Sequence, residues 1–110
     1  IDWPTNLKPF YIKSKGNSTQ ISTGFDLQYG KMELCSGGMR IHKKNELIDN
    51  LKKNKLDINS FKHHINTFNW GMPPHSGWGF GLDRFLMVIT GTDNIREVVL
   101  FPRDPNRLTP

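Results

Sequence analysis

The sequence predicts an α+β fold in which an antiparallel sheet is flanked by helices. Three observations indicate this class. Apolar and polar residues alternate in the first 42 residues, apolar residues recur at helical spacing in the middle of the chain, and a glycine-rich segment near residue 80 passes directly into another helical pattern. A chain of 110 residues forms one domain at most. Its core is modest, because chains of this size bury roughly two-thirds of their unfolded surface.

The N-terminal part of the chain is expected to supply the first strands of the sheet. Residues 8–13 are predicted to form a strand. Their proline cannot donate a ladder hydrogen bond, which favours an edge strand or a position at the start of the strand. Residues 25–29 alternate between apolar and polar side chains, which predicts a half-buried strand. Residues 32–42 are predicted to return beside it as a strand that is broken at Gly37 and Gly38.

The rest of the chain predicts three helices and a closing strand. Residues 46–53 and 60–70 each carry apolar side chains on one side at helical spacing, and Gly71 ends the second of these helices. A third helix is predicted to begin near Leu82 and to stop near Gly91, because its apolar residues fall at positions i, i+3, i+4 and i+7. A final strand is expected to follow it.

Residues 77–84 read Gly-Trp-Gly-Phe-Gly-Leu-Asp-Arg, and they are the most informative segment of the chain. In a strand, Gly77, Gly79 and Gly81 would leave one face without side chains, which favours the close approach of a ligand or of another backbone. Arg84 follows at the start of a helix, where free N–H groups and a guanidinium favour phosphate. The pattern therefore predicts a nucleotide site, and the alternative is a glycine-rich bulge or barrel corner.

Composition limits the classes of function. The net charge of +5, from 15 basic and 10 acidic residues, suits a polyanionic partner such as RNA. The single cysteine, Cys35, excludes an internal disulfide and fits a reducing cytoplasm, while four scattered histidines give no zinc spacing. The longest apolar run, residues 85–89, is too short to cross a bilayer, so no membrane partner is expected.

The glycine segment also resembles a known family. Residues 77–84 are similar to the third signature motif of class II aminoacyl-tRNA synthetases. The flanking segments, 70–77 and 100–110, resemble the C-terminal end of the aspartyl members of that family, of the archaeal and eukaryotic type. The resemblance covers nearly the whole chain, and it implies the fold of the C-terminal portion of a class II catalytic core.

The resemblance leaves two motifs of that family without a counterpart in residues 1–110. The first is a dimer-forming helix and strand. The second has the hallmark Arg-x-Glu, and none of the five arginines of the chain is followed two residues later by glutamate. The anticodon-binding barrel of the family is also without a counterpart. Residues 1–110 are therefore expected to be the C-terminal part of a catalytic domain, with the third motif at 77–84, and to be inactive alone.

The resemblance implies ATP and Mg²⁺ as cofactors and assigns residues to them. Glycines at 79 and 81, followed by Leu82, Asp83 and Arg84, are implied to line the ATP site. Glu33 is implied to bind the nucleotide through the metal, and Arg84 and Glu33 are the residues with catalytic roles. One departure from the family pattern is Asp83, where glutamate is commoner, so the hydrogen bonds at that position are expected to shift.

Glu33 and Ser36 match the family pair that holds the magnesium ion. One carboxylate and one hydroxyl suit Mg²⁺, which takes few protein oxygens and leaves the other positions to water and phosphate. Residues three apart point to opposite faces of a regular strand, so joint ligation predicts a bulge or sharp twist after Glu33. The alternative is that Glu33 is a surface carboxylate facing a lysine and Ser36 is a turn residue.

Arg40 matches the family arginine that holds the side-chain carboxylate of the substrate aspartate. A guanidinium binds a carboxylate through two parallel hydrogen bonds, and the alternative is a cross-strand ion pair such as one with Asp26. Lys8, Tyr11 and His75 are further candidates for substrate binding. Their alternatives are an exposed lysine, a core tyrosine and a loop-ordering histidine.

The implied reaction is two-step aspartylation of tRNA. Aspartate attacks the α-phosphate of ATP to give aspartyl-adenylate and pyrophosphate, and the aspartyl group then passes to tRNA for aspartate, or also for asparagine. The resemblance further implies a cytoplasmic homodimer for the full-length protein. Three alternatives stay open: an asparaginyl-tRNA synthetase or related amide ligase, a non-catalytic binding or regulatory paralogue, and a basic RNA-binding module.

Overall fold

The computed structural model describes residues 1–109, and it confirms the α+β class. The secondary structure consists of strands β1 (Phe25–Tyr29), β2 (Met32–Met39) and β3 (Ser76–Phe80) and of helices α1 (Lys44–Lys53), α2 (Lys62–Thr67) and α3 (Leu82–Thr90). Four short 3₁₀ turns lie at Thr5–Leu7, Ile58–Phe61, Phe68–Trp70 and Ile95–Val98.

The three strands form one antiparallel sheet in the order β1-β2-β3. Gly37 of β2 lies between Phe25 and Trp78 in the register, and the next cross-strand row is Asp26, Ser36 and Gly79. The β1–β2 hairpin turns at Gly30, whose φ of 59° lies in the left-handed region that glycine adopts without a steric cost.

The strand predicted at 8–13 was wrong. Only isolated bridges form there, including one between Ile12 and Arg40, and the Ile12 amide donates to the Pro9 carbonyl at 3.0 Å. The chain therefore turns at Pro9 instead of extending, since proline also has no N–H to offer a neighbouring strand. The predicted break at Gly37-Gly38 was also wrong, because β2 runs without interruption through both glycines to Met39.

The helices at 46–53 and 82–91 are confirmed, as α1 and α3. Gly91 ends α3 with a φ of 69°, as the sequence indicated. The helix expected at 60–70 is divided into a 3₁₀ turn, the short α2 and a second 3₁₀ turn. The closing strand was wrong, because residues 95–98 form a 3₁₀ turn and no later strand occurs up to residue 109.

One cluster of buried core residues lies between α1, α2 and the segment that follows β2. It consists of Ile41, Leu47, Leu51 and Ile65, and partly buried aromatic residues such as Phe10 pack against it. No helix of the described chain is both long and apolar enough to cross a membrane.

The two faces of the sheet differ in chemistry. One face, the aromatic face, carries Trp78 and Phe80, whose rings pack against each other. Phe80 also packs against Phe85 of α3, and Trp78 stays 61% exposed. The opposite face, the polar face, carries Asp26, Ser36 and the glycines at 77 and 79, because alternate residues of a strand share one side.

Candidate functional site

A β-bulge in β2 shapes one end of the polar face. Leu27 pairs with Cys35, whereas the next residue of β1, Gln28, pairs with Glu33, so one extra residue of β2 is accommodated between them. The predicted bulge is thereby confirmed. Ser36 lies within the strand, so its interpretation as a turn residue was wrong.

The bulge also brings Glu33 and Ser36 to the same side of the sheet. Ser36 pairs with Asp26 and Glu33 pairs with Gln28. Asp26 and Gln28 are two residues apart on β1 and therefore share a face, so their partners share it as well.

The same bulge anchors the start of α3. The Gly81 amide donates to the Leu34 carbonyl at 2.7 Å, and the Arg84 guanidinium donates to the Glu33 carbonyl at 2.9 Å. Arg84 is therefore held beside Glu33, and the two residues line an open cavity of about 530 Å³. Gly81 is the N-cap of α3 and lies outside β3, with Leu82 and Asp83 exposed in the first turn of the helix.

The three glycines of residues 77–84 have different surroundings, so the expectation of one uniformly bare face was wrong. An added Cβ at Gly79 would meet no atom within 4 Å. An added Cβ at Gly81 would lie 3.2 Å from the Leu34 carbonyl oxygen, and one at Gly77 would lie 3.0 Å from the Arg40 guanidinium. Within the described residues, the space expected for a ligand therefore lies over Gly79.

Arg40 has no acidic partner within residues 1–109. Its guanidinium carbon lies 4.5 Å from the centre of the Tyr11 ring, a cation–π contact. Asp26, the alternative partner suggested by the sequence, instead accepts two hydrogen bonds from Lys8, at 2.6 and 2.8 Å. The proposed Arg40–Asp26 ion pair was therefore wrong, and the Arg40 charge is available to a ligand.

Lys8 is neutralised inside the protein. The side chains of Lys8 and Asp26 are 12% and 7% exposed, and the Lys8 ammonium also lies 4.8 Å from the centre of the Trp3 ring. The alternative of an exposed lysine was therefore wrong. Tyr11 is 37% exposed, so its alternative as a core residue was wrong as well.

Most of the residues predicted to bind the amino acid line one cavity of about 420 Å³. Its lining includes Lys8, Tyr11, Ser36, Arg40 and Gly79. The chemical character of this cavity is one unpaired cation at the Arg40 end, a hydroxyl at Ser36 and an uncovered backbone at Gly79. Such a cavity suits a small anionic molecule.

His75 lies apart from that cavity. It lines a second space of about 230 Å³, which Tyr11 and Arg40 also line. Its Nδ1 is 2.9 Å from the Pro73 carbonyl oxygen, and its own carbonyl accepts a hydrogen bond from the Arg40 amide at 2.9 Å. The structure therefore connects His75 to Arg40 through the backbone.

The donor chemistry at Glu33 and Ser36 fits a magnesium ion. Both side chains offer oxygen, which is the ligand that Mg²⁺ requires, and both point to the polar face. In the part of the chain that the structure describes, no group of three or more His, Cys, Asp or Glu residues is close enough to hold a metal. An ion bound by this pair would therefore complete its shell with phosphate and water.

Sequence reasoning missed Asp26 as the partner of Lys8 and Gly77 as a neighbour of Arg40. The only signal for Asp26 was its polar position opposite the apolar side chains of β1. Nothing local distinguished Gly77 from Gly79, because the contact that separates them comes from Arg40, which is distant in sequence.

Comparison with known proteins gives a consistent result. A family model described as class II tRNA synthetases (D, K and N) matches residues 1–105. The chain is 49% identical to the aspartate–tRNA(Asp/Asn) ligase of Methanococcus vannielii, over 99% of this chain and 25% of that relative. The chain thus spans about a quarter of the length of the curated relatives it matches.

Two solved structures superpose closely on the fold. The aspartyl-tRNA synthetase of Entamoeba histolytica does so with a TM-score of 0.92 at 37% identity, over 99% of this chain and 23% of that one. The asparaginyl-tRNA synthetase of the same organism, in complex with asparaginyl-adenylate, gives a TM-score of 0.91 at 32% identity, over 100% of this chain and 26% of that one.

Proposed function

Because the chain belongs to the class II tRNA synthetases of the D, K and N group, we propose that it supplies part of the active site of an aspartate–tRNA ligase. The family expected from residues 77–84 is confirmed by that match. Residues 1–110 are, in this proposal, the C-terminal part of the catalytic domain, and the remaining motifs lie in other parts of the full-length protein.

One observation carries the choice of aspartate as substrate. The Arg40 guanidinium borders the cavity of about 420 Å³ without an acidic partner among the described residues. An unpaired cation in a cavity favours a carboxylate, and a guanidinium can bind it through two parallel hydrogen bonds. An amide side chain presents an NH₂ group to one of those donors, so asparagine is disfavoured. Lys8, Tyr11 and His75 act around Arg40 in this proposal.

In this proposal, ATP binds over the polar face at Gly79 and extends to Arg84 at the start of α3. The flat ring would lie in the open space over Gly79, and Arg84 is fixed by its hydrogen bond to the Glu33 carbonyl. Gly81, Leu82 and Asp83 form the turn between these two ends. The first amides of α3 add favourable dipoles for the phosphates.

Glu33 and Ser36 are the residues that would hold Mg²⁺ beside the ATP phosphates. When bound, the ion neutralises negative charge on the phosphate oxygens. Glu33 and Arg84 line the same open cavity, so a carboxylate for the ion and a guanidinium for the nucleotide are available there. This adjacency supports the assignment of both residues to catalysis.

The proposed reaction needs no nucleophilic side chain. An oxygen of the aspartate α-carboxylate forms a bond to the α-phosphorus of ATP, and the bond from that phosphorus to the bridging oxygen of pyrophosphate breaks. The terminal ribose hydroxyl of tRNA then attacks the mixed anhydride and releases AMP. Arg40 and Arg84 bind and orient the two substrates, and such positioning accounts for much of the rate of a reaction between bound groups.

The partners and setting of the full-length protein belong to the same proposal. The tRNA is that for aspartate, and the relative from Methanococcus vannielii is named for tRNA(Asp/Asn), so we include tRNA for asparagine. The net charge of +5 supports a polyanionic partner. A cytoplasmic homodimer is proposed, and the single buried cysteine, Cys35, is compatible with a reducing compartment.

ATP–pyrophosphate exchange by the full-length protein tests this function. Exchange is expected with aspartate and not with asparagine, and residues 1–110 alone are expected to show none. Preference for asparagine would move the protein to the asparaginyl branch, whose solved representative superposes nearly as well. Absence of exchange with both amino acids would favour a non-catalytic paralogue.

Two substitutions test the assignment of the two arginines. Arg84→Ala should raise the KM for ATP, whereas Arg40→Ala should mainly raise the KM for aspartate. Each loss should reach at least tenfold, because hydrogen bonds to a charged group contribute about 1.5–3 kcal/mol. Equal effects of both substitutions on both KM values would contradict the assigned roles.

A further inference from the structure

A row of three glycines crosses the polar face of the sheet. Gly38 of β2 pairs with Gly77 of β3. On the other side of Gly38, a Cβ added there would lie 3.1 Å from the Cα of Gly24, which directly precedes β1. The row Gly24–Gly38–Gly77 therefore runs parallel to the row of Asp26, Ser36 and Gly79.

Each glycine of this row is covered by a side chain. The Lys8 stem lies over Gly24, where an added Cβ would be 3.0 Å from two of its carbons. Ile12 covers Gly38, where an added Cβ would lie 3.2 Å from two of its side-chain carbons. At Gly77 the covering group is the Arg40 guanidinium, with Nη2 at 3.0 Å and Nε at 3.1 Å from the added Cβ.

We propose that Gly77 is a positioning residue for Arg40, and that Gly77 and Tyr11 together form a slot that fixes the plane of the Arg40 guanidinium. The inference rests on the proposed role of Arg40 in binding the aspartate carboxylate. It assigns the first glycine of residues 77–84 to the amino-acid end of the site, whereas Gly79 stays assigned to the nucleotide.

The slot is the means by which the guanidinium keeps its orientation. The centre of the Tyr11 ring lies 4.5 Å from the Arg40 Cζ. A Cβ on Gly77 would lie 3.0 Å from Nη2 and 3.1 Å from Nε, so only a residue without a side chain leaves the guanidinium its present place. Within residues 1–109 no carboxylate holds Arg40. Two parallel hydrogen bonds to a carboxylate need a defined plane, and a rotated guanidinium keeps one bond at best.

An alanine at 77 would displace the guanidinium without breaking the fold. Ordinary contact begins at 3.4 Å, so nitrogen atoms at 3.0 and 3.1 Å from the new methyl group must move by a few tenths of an ångström. The guanidinium is the far end of a flexible side chain and can make this shift. Gly77 is not among the residues with positive φ, so alanine is also compatible with the backbone there.

The matched variants Gly77→Ala and Gly79→Ala, made in the full-length protein, test the slot. In ATP–pyrophosphate exchange, Gly77→Ala should raise the KM for aspartate about tenfold and change the KM for ATP less than about twofold, since small misplacements of a binding group are costly. Gly79→Ala should do the reverse, because its methyl group enters the open space assigned to the nucleotide. Equal changes in both KM values for Gly77→Ala would overturn the slot.

Substitutions at Tyr11 test the second component of the slot, the aromatic ring that contacts the Arg40 guanidinium. Tyr11→Leu removes the ring that contacts the guanidinium and should raise the KM for aspartate about twofold to tenfold, because the cation–π contact is lost. Tyr11→Phe keeps the ring and should recover most of that loss. A phenylalanine variant as impaired as the leucine variant would overturn the role of the ring.

Crystal structures of the ligand-free alanine variants give a readout that does not depend on activity. The Arg40 guanidinium should be displaced in Gly77→Ala and unmoved in Gly79→Ala. An unmoved guanidinium in both would overturn the slot. If the unmodified protein shows no aspartate-dependent exchange, the proposed function fails, and the crystal structures still decide whether Gly77 positions Arg40.

Discussion

Gly37→Ala is expected to weaken the contact between β2 and β3. The new Cβ would lie 2.6 Å from the Gly77 carbonyl oxygen, 2.7 Å from the Trp78 Cβ and 2.8 Å from the Phe25 Cζ. Ordinary contact begins at 3.4 Å, so the carbonyl oxygen must retreat by about 0.8 Å. Because this oxygen belongs to the backbone of β3, no side-chain rotation relieves the overlap, and the strands must separate.

The size of the effect follows from that displacement. A ladder hydrogen bond of about 2.9 Å lengthened by about 0.8 Å exceeds the distance at which such bonds are effective. Loss of one or two of these bonds costs about 1 kcal/mol each, and overpacking adds about 1–3 kcal/mol. We therefore expect a loss of about 2–5 kcal/mol, a large part of the stability of an ordinary domain.

Hydrogen–deuterium exchange of the full-length protein measures this loss locally. Amides of β2 and β3 should exchange roughly 30- to 4,000-fold faster in Gly37→Ala, since each 1.4 kcal/mol corresponds to a factor of ten. Gly79→Ala is the matched control, because its methyl group meets no atom within 4 Å and should leave these rates within about threefold. Equal exchange in the two variants would refute the steric reasoning.

Three further results are expected. Lys8→Met should lower the free energy of unfolding by about 2–4 kcal/mol, measured by urea denaturation, because it leaves the Asp26 carboxylate buried without its partner, and adding Asp26→Leu should recover most of the loss. If the double variant is no more stable than Lys8→Met, the ion pair is not the cause. Glu33→Gln should raise the Mg²⁺ concentration for half-maximal exchange about tenfold or more, with little change in the KM for aspartate, and an unchanged Mg²⁺ requirement would exclude Glu33 as a ligand. Gly91→Ala should lower stability by about 1 kcal/mol in thermal unfolding, because a residue with a side chain is strained at a φ of 69°, and an equally stable alanine variant would contradict this.

Local patterns predicted the parts of the fold that depend on neighbours in sequence. The spacing of the apolar residues after Leu82 located α3, and Gly91 located its end. The odd separation of Glu33 and Ser36 predicted the bulge in β2, although that prediction depended on the assumption that both residues bind the same magnesium ion. In each case the determining signal lies within about ten residues.

The errors concern contacts between distant segments. Residues 8–13 have the composition of a strand, yet the chain turns at Pro9, and the Lys8 ammonium extends to Asp26. Gly77 and Gly79 are equivalent in the sequence pattern, but only Gly77 is covered, by a side chain from β2's C-terminal extension at Arg40. Such differences are set by the arrangement of the strands, and the local alternation of residue types does not contain them.

In the proposed function, the distribution of charge makes Arg40 the residue that selects an acidic substrate. Two cations, Lys8 and Arg40, line the same cavity, but Lys8 is neutralised by Asp26 at 2.6 Å. A free Lys8 ammonium would attract any anion that entered, including the phosphates of ATP, from a flexible and poorly directed position. Pairing it with Asp26 leaves one charge, on a planar group held against the Tyr11 ring. On this proposal, the cavity would distinguish a carboxylate by geometry as well as by charge.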